Sequence, residues 1–370
     1  MDAAAAPLHP LARDTFVAAL DAGWADPARL HREGRQANHL LQTGRAVLAD
    51  GVGCRPESLS LHPSPAQALE TAVAGLRRAR RRLGDGLVTS AVDQSLLLAL
   101  AGDRHPVEVG ATGAVTLGAW SEALRAPALA AAVLGAANGE VGTRQPVAAA
   151  FEECRVHGIP FLLDGTASWG RDVVDDAWDV FVGSAAVFGG PPLGVLAVRP
   201  GVRFDASAPG RDVEWGRSLA TPWVPTVLAA AEAWQQTRAT ADEDAATSRA
   251  LVDLVRGAAA EVTDVEVVGD PIDRLPHVVT FSAWYADGEA LVRAFDRRGF
   301  AVGSGSACTS STLRPSHVLA AMGALTHGNV RITLPLPSAT PGLADQVTAL
   351  LPTIADAVAE VRAELGTTDL

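Results

Sequence analysis

The chain has 370 residues, 48% of them hydrophobic, and a formal net charge of −12 at pH 7. That is enough apolar material for a large core in two domains, or in one large domain with an added lobe. The acidic balance argues against nucleic acid and anionic membranes as partners, and no apolar stretch reaches spanning length.

In chain order, Met1–Pro7 reads as an extended arm. Helical spacing follows over Asp14–Leu20, Gly34–Asp50 and Pro65–Arg82. The last of these carries the one basic tract, Arg77–Arg82, which reads as a solvated helix face. From about residue 85 short apolar runs alternate with helical stretches. Leu87–Ser90, Ala131–Leu134, Pro160–Leu163, Val180–Val182 and Gly194–Val198 read as buried strands, with helices at Gln94–Ala101 and Pro146–His157 between them. This alternation predicts βαβ units, a mostly parallel sheet with helices on both faces, and a ligand crevice at the carboxyl ends of the strands.

A long helical region covers Pro225–Ala260, with a polar break near Ala239–Glu243. Beyond it the pattern changes to an α+β lobe. Strands are predicted at Val265–Val268, His277–Phe281, Phe300–Val302 and Val330–Thr333, and helices at Gly288–Arg297, Ser316–Met322 and Gly342–Glu364. The expected domains are an arm over residues 1–14, a large α/β domain over 15–245 and a small α+β domain over 246–370.

Three cysteines, Cys54, Cys154 and Cys308, stand far apart in the sequence, with no signal-peptide pattern before them. Free thiols in a reducing cytoplasm are expected, and no metal site. Cys54 and Cys154 read as packing residues. Cys308 differs, because it sits in Gly303-Ser-Gly-Ser-Ala-Cys-Thr-Ser-Ser-Thr-Leu-Arg-Pro315, whose small residues cannot bury the thiol under their own side chains. Such a segment is either a mobile arm that carries sulfur or a flexible loop with an incidental cysteine. The chain also contains no lysine: all 30 of its Lys+Arg residues are arginine.

Ser304–Leu319, followed by Gly328-Asn-Val-Arg-Ile-Thr333, closely resembles the C-terminal signature of the cysteine desulfurases, a branch of the class V aminotransferases that uses pyridoxal phosphate (PLP). Ala25–His31 resembles their N-terminal substrate-cleft segment. Thr89–Ser95, Asn138–Gly142 and Leu163–Ser168 resemble three cofactor segments, in the same order. The resemblance implies the PLP-dependent transferase fold type I. It also implies chemistry in which a lysine holds PLP, the ring acts as an electron sink, and a loop cysteine removes the sulfur as a persulfide.

Carried over by position, the resemblance gives Cys308 as the persulfide cysteine. Asp164 becomes the carboxylate that pairs with the pyridinium nitrogen, Asn138 a residue near cofactor and substrate, and Ser184 a phosphate contact. Arg331 becomes the clamp on the substrate carboxylate, and Thr221, more loosely, a residue that reaches the partner subunit's phosphate. The remaining positions depart from the pattern. In Ser184-Ala-Ala-Val-Phe-Gly189, Val187 stands at the lysine and Ala186 at a histidine. Gln94 stands at the ring-stacking histidine, Pro65-Ala66 at the phosphate-binding turn and Ala167 at a glutamine. The retained residues also have structural readings: Asp164 capping a turn, Asn138 accepting positive φ, Arg331 pairing with an acidic neighbour, and His317 starting a helix.

The expected function is therefore that of a cysteine desulfurase-like protein deficient in its cofactor. It would serve as a persulfide acceptor through Cys308, or as a dimer partner. The implied assembly is a homodimer, or a heterodimer with a catalytic relative, and a sulfur-acceptor protein is a further expected partner. The alternatives are an active enzyme that holds PLP noncovalently, and a scaffold in which Cys308 is idle.

Overall fold

The computed structural model describes every residue except 4–6, 24, 174, 207–212, 219, 306–314 and 367–370. Its centre is a six-stranded sheet in the order β1-β6-β5-β4-β3-β2. The strands are β1 (Leu59–His62), β2 (Gly86–Val88), β3 (Leu129–Gly135), β4 (Phe161–Asp164), β5 (Val180–Ser184) and β6 (Gly194–Val198). Strands β2 to β5 run parallel, while β6 is antiparallel to both β5 and β1. Side chains alternate faces along each strand. Leu134, Phe161, Leu163, Phe181 and Val195 enter one core, and Ala131, Val133, Leu162, Val182 and Leu196 enter the other. Being covered on both faces is why these strands are continuously apolar.

The second core lies under α3 (Pro65–Arg80) and α4 (Ser95–Ala101), which contribute Ala68, Leu69, Ala72, Val73, Leu76 and Leu97. The first lies under α1 (Pro10–Asp21), α2 (Arg32–Val52), α5 (Leu117–Ala123), α6 (Val147–His157) and the start of α7 (Val224–Ala260). Helix α5 was not expected. It has seven residues, a Thr116 cap and one buried side chain, Trp120, so it offers almost no periodic signal. Strand β1 was also not expected, because Leu-Ser-Leu-His is short and half polar, yet all four residues are buried.

A three-stranded antiparallel sheet, β7 (Val265–Val268), β8 (Val278–Ala283) and β9 (Asn329–Thr333), forms the smaller lobe with α8 (Gly288–Arg297), α9 (His317–Met322) and α10 (Leu343–Glu364). Phe300–Val302 is not the predicted strand. Only Gly303 pairs there, exchanging both backbone hydrogen bonds with Arg331 (2.9 and 2.7 Å). The predicted break at 239–243 is also absent, since α7 runs unbroken for 37 residues, about 55 Å. Val227, Ala230 and Ala233 pack in the large lobe, whereas Leu251, Val252 and Val255 pack in the small one. Between them, Arg238, Ala239 and Ala241–Glu243 are exposed, the stretch that neither core covers. The boundary drawn at residue 245 falls inside this helix.

One buried ion pair closes the free edge of the large sheet. Arg45 on α2, 2% exposed, binds both carboxylate oxygens of Glu214. The pair also satisfies β1: Arg45 Nη1 donates to Leu59 O (3.0 Å) and Leu61 N donates to Glu214 Oε2 (2.8 Å). Backbone groups that an edge strand leaves unpaired are thereby bonded. Glu214 and Trp215 adopt positive φ (50° and 56°), a conformation the pair must hold. Glu214→Ala leaves the guanidinium buried and uncompensated, and should lower unfolding free energy by about 3–5 kcal/mol in urea titrations. Arg45→Met combined with Glu214→Leu should cost clearly less than Glu214→Ala alone.

Candidate functional site

A cavity of about 520 Å³ opens where the carboxyl ends of β3 and β4 meet β8 and β9 of the small lobe. This is the crevice expected for a parallel sheet of this kind. Seven residues singled out in the sequence line it: Gln94, Asn138, Asp164, Ala167, Val187, His317 and Arg331. Ser184 does not. It ends β5, buried, with its backbone paired to Gly194. Thr221 is exposed just ahead of α7 and does not reach the cavity within one chain. Cys308 lies outside the described residues, while Gly305 lines the cavity wall. Ala25–His31 stays away from the cavity. There Asp26 folds a local turn, accepting from Ala28 N (2.9 Å) and pairing with Arg29, and the turn leads into α2. The N-terminal segment that does reach the cavity is the arm, through Ala3.

Asp164 occupies the end of β4, in register with Gly135 of β3. One of its oxygens accepts from Thr166 N (2.9 Å), and the other accepts from the Gln94 amide (2.5 Å). The same amide donates to Thr166 Oγ1 (3.1 Å). Gln94 therefore lies along the carboxylate. Asn138 has its amide engaged in a turn: Oδ1 accepts from Glu140 N (2.8 Å) and Val141 N (2.9 Å), and Nδ2 donates to Val92 O (2.8 Å). Val187 sits in a short turn, Ala185–Phe188, and presents an apolar side chain to the cavity. Pro65 and Ala66 begin α3 behind a Ser64 cap, whose hydroxyl accepts from Gln67 N (3.2 Å), and neither lines the cavity.

Arg331 projects from β9 opposite Thr280, 3.8 Å from the Asp2 carboxylate. The arm that carries Asp2 is anchored at two places. Thr333 N donates to Met1 O (3.0 Å), and His9 N donates to Gly189 O (2.8 Å), two residues past Val187.

Several cavity residues carried no separate signal in the sequence: Asp93, Glu140, Arg171, His277 and Thr333. Each lies within or beside a segment that was recognised, but its meaning depends on partners far away in the chain. Asp93 is buried and accepts from Ser90 N (2.7 Å) and Gly135 N (2.9 Å). Burial pushes its carboxyl up to about 7, against those two bonds, and the nearby Asp164 charge pushes the same way. Asp164 is likewise raised by burial, opposed by Thr166 and Gln94. Burial also raises Glu140, with Ser316, Arg331 and His317 opposing. Among the described residues no group of His, Cys, Asp and Glu has the arrangement of a metal site.

A carboxyl whose folded value lies above its unfolded one binds more protons in the native state, so stability falls as pH rises between the two values. For Asp93 that window runs from about 4 to about 7. Unfolding free energy should decline across it by up to about 1.4 kcal/mol per pH unit. Asp93→Asn should flatten this slope relative to the wild type, as read from urea midpoints at pH 4.5–7.5. Parallel curves for the two proteins would show that Asp93 ionises normally.

Comparison with known proteins places this geometry in a lineage. The aminotransferase class-V family matches residues 14–338. A cysteine desulfurase of Cereibacter sphaeroides is 29% identical over 371 residues, covering 93% of this chain and 95% of that protein. The cysteine desulfurase IscS of Salmonella arizonae is 28% identical, covering 85% of this chain and 81% of its own length. A solved NifS-like protein superposes with a TM-score of 0.85 at 20% identity, over 97% of this chain and 98% of that one, which establishes the fold. The two-lobed architecture, with its mostly parallel sheet, is the PLP-dependent transferase fold type I. The chain belongs to the class V aminotransferase family, among its cysteine desulfurase-like members.

Proposed function

We propose that this chain is a cysteine desulfurase-like protein of sulfur metabolism that does not run the PLP chemistry of its family, and that receives sulfur as a persulfide on Cys308. The observation that carries this reading is the contact between Gln94 and Asp164 beside Val187. PLP chemistry needs an amine at the Val187 position to hold the cofactor, and valine has none. The chain has no other lysine to supply one. It also needs the carboxylate of Asp164 for the ring nitrogen and an aromatic face above the ring. Here the Gln94 amide lies on that carboxylate and offers no such face. The residues present do not fit a covalently held PLP.

The thiols support Cys308 as the acceptor. Burial pushes Cys54 up to about 11 and Cys154 up to about 12, so both are almost wholly protonated near neutral pH. A thiol of ordinary pKa, about 8.5, holds on the order of a hundredfold more thiolate than Cys54. In the proposed step the Cys308 thiolate attacks the outer sulfur of a donor persulfide, R–S–SH. A Cys308–sulfur bond forms, the donor's S–S bond breaks, and the donor leaves as thiolate R–S⁻. The donor is a catalytic relative, bound as the other subunit of a dimer or met transiently.

Purified protein titrated with PLP should show no visible band beyond that of free PLP, and should release no sulfide from cysteine. A saturable band together with sulfide release would overturn the reading in favour of noncovalently held PLP. Val187→Lys alone should not restore activity, because the Gln94 amide still lies on Asp164 and offers no aromatic face. With a persulfide-loaded desulfurase as donor, mass spectrometry should find the added sulfur on Cys308 well ahead of Cys54 and Cys154. Equal labelling of the three, or none, removes Cys308 as acceptor.

A further inference from the structure

The basic tract Arg77–Arg82 takes no part in the cavity or in the sulfur reading. It does not lie wholly on a helix face. Helix α3 ends at Arg80, and Arg81, Arg82 and Leu83 form the turn that leads toward β2. Strand β2 runs parallel to β3 and β4, whose carboxyl ends bound the cavity. The turn therefore lies at the opposite, amino end of the sheet.

Backbone carbonyls hold four guanidinium groups at this end. Arg77 donates from Nε to Asp85 O (2.7 Å) and from Nη2 to Leu100 O (2.6 Å). Arg78 Nη2 donates to Asp205 O (2.9 Å), and Arg80 Nη1 donates to Gly158 O (3.1 Å). From the loop after α4, Arg104 Nη2 donates to Pro127 O (3.1 Å). The Arg104 guanidinium also lies against Gly86, next to Asp85, where a Cβ would fall 2.2 Å from Nε. These bonds fix the charges in place without neutralising them, because a carbonyl has no net charge. Among the described residues, the one carboxylate at ion-pairing distance from Arg77, Arg78, Arg80, Arg81, Arg82 or Arg104 is Asp205, 3.8 Å from Arg81. Both side chains of that pair are largely exposed (70% and 48%), so it offsets little. The dipole of α3 favours cations in its last turn, which accounts for Arg77, Arg78 and Arg80 and not for Arg82 or Arg104. Beside these charges Leu83 stands 61% exposed.

We infer that this end of the large lobe is a docking surface for an acidic protein segment, whose carboxylates meet the arginines and whose apolar side chains cover Leu83. Guanidinium groups already fixed on carbonyls lose little freedom on binding, which favours association. Two observations select a protein segment over nucleic acid. Leu83 offers an apolar contact that a sugar-phosphate backbone does not fill. The chain as a whole carries a net charge of −12, so a duplex extending past the patch meets like charge. The inference depends on neither Cys308 nor PLP.

The test uses the full-length protein and two fluorescent probes at physiological ionic strength, a Glu-rich peptide with interspersed Leu and a DNA duplex. Anisotropy should show saturable binding of the peptide that weakens as salt rises, with the duplex at least about tenfold weaker. Arg81→Gln combined with Arg82→Gln removes two charges at little structural cost, since Arg81 makes one long bond, to Arg78 O (3.3 Å), besides the loose Asp205 pair. This double variant should keep the wild-type melting temperature and bind the peptide about tenfold or more weakly. Leu83→Ser should weaken the peptide by about three- to tenfold. No saturable peptide binding, wild-type affinity in either variant, or a duplex bound as tightly as the peptide would each overturn the assignment. The PLP titration and sulfide assay report on the sulfur reading separately.

Discussion

The buried Asp164 carboxylate at the end of β4 is the constraint around which the site is organised. A charge in that position must be held by hydrogen bonds or given up. In this chain the bonds come from Thr166, next in its own turn, and from Gln94, seventy residues earlier. The same neighbourhood contains Asp93, whose carboxyl is bonded to two backbone amides and still raised by burial. Two acidic groups packed this closely against a sheet end form a costly arrangement. Both carboxyls line the one cavity, together with Gln94 and Arg331.

The large lobe was legible because its strands are apolar on both faces and are separated by helices of ordinary length. Continuous runs such as Ala131–Leu134 leave little choice of period. Strand β1 escaped because Ser60 and His62 are polar yet fully buried: the Ser60 hydroxyl donates to Leu196 O, a partner 136 residues away. The polar stretch in α7 looked like a break because exposure in the middle of a helix that joins two cores has the same composition as a turn. Phe300–Val302 looked like a strand because it is apolar, but only Gly303 meets Arg331.

The candidate site was legible only in part, and for a similar reason. Gln94, Asn138, Asp164, Ala167, Val187, His317 and Arg331 could be placed in one crevice by the order of their segments, and all seven line one cavity. The sequence does not reveal that Gln94 lies on Asp164, or that Arg171 reaches across to Leu334 O in the small lobe. Each of these relations joins residues from different strands and lobes, so no local spacing encodes it. Ala25–His31 illustrates the opposite error, a segment that resembled part of the cleft but folds on itself around Asp26.

The uninterrupted α7 has a mechanical consequence. A helix of this length is a stiff rod, and each core holds one end of it. The lobes therefore cannot swing apart about a flexible joint in this connection without bending the rod or stripping it from one core. Access to the cavity is set by its wall and not by a hinge in α7, and Ala3, next to the bond from Thr333 N to Met1 O, is part of that wall. The molecule is built like a box with a rigid spine.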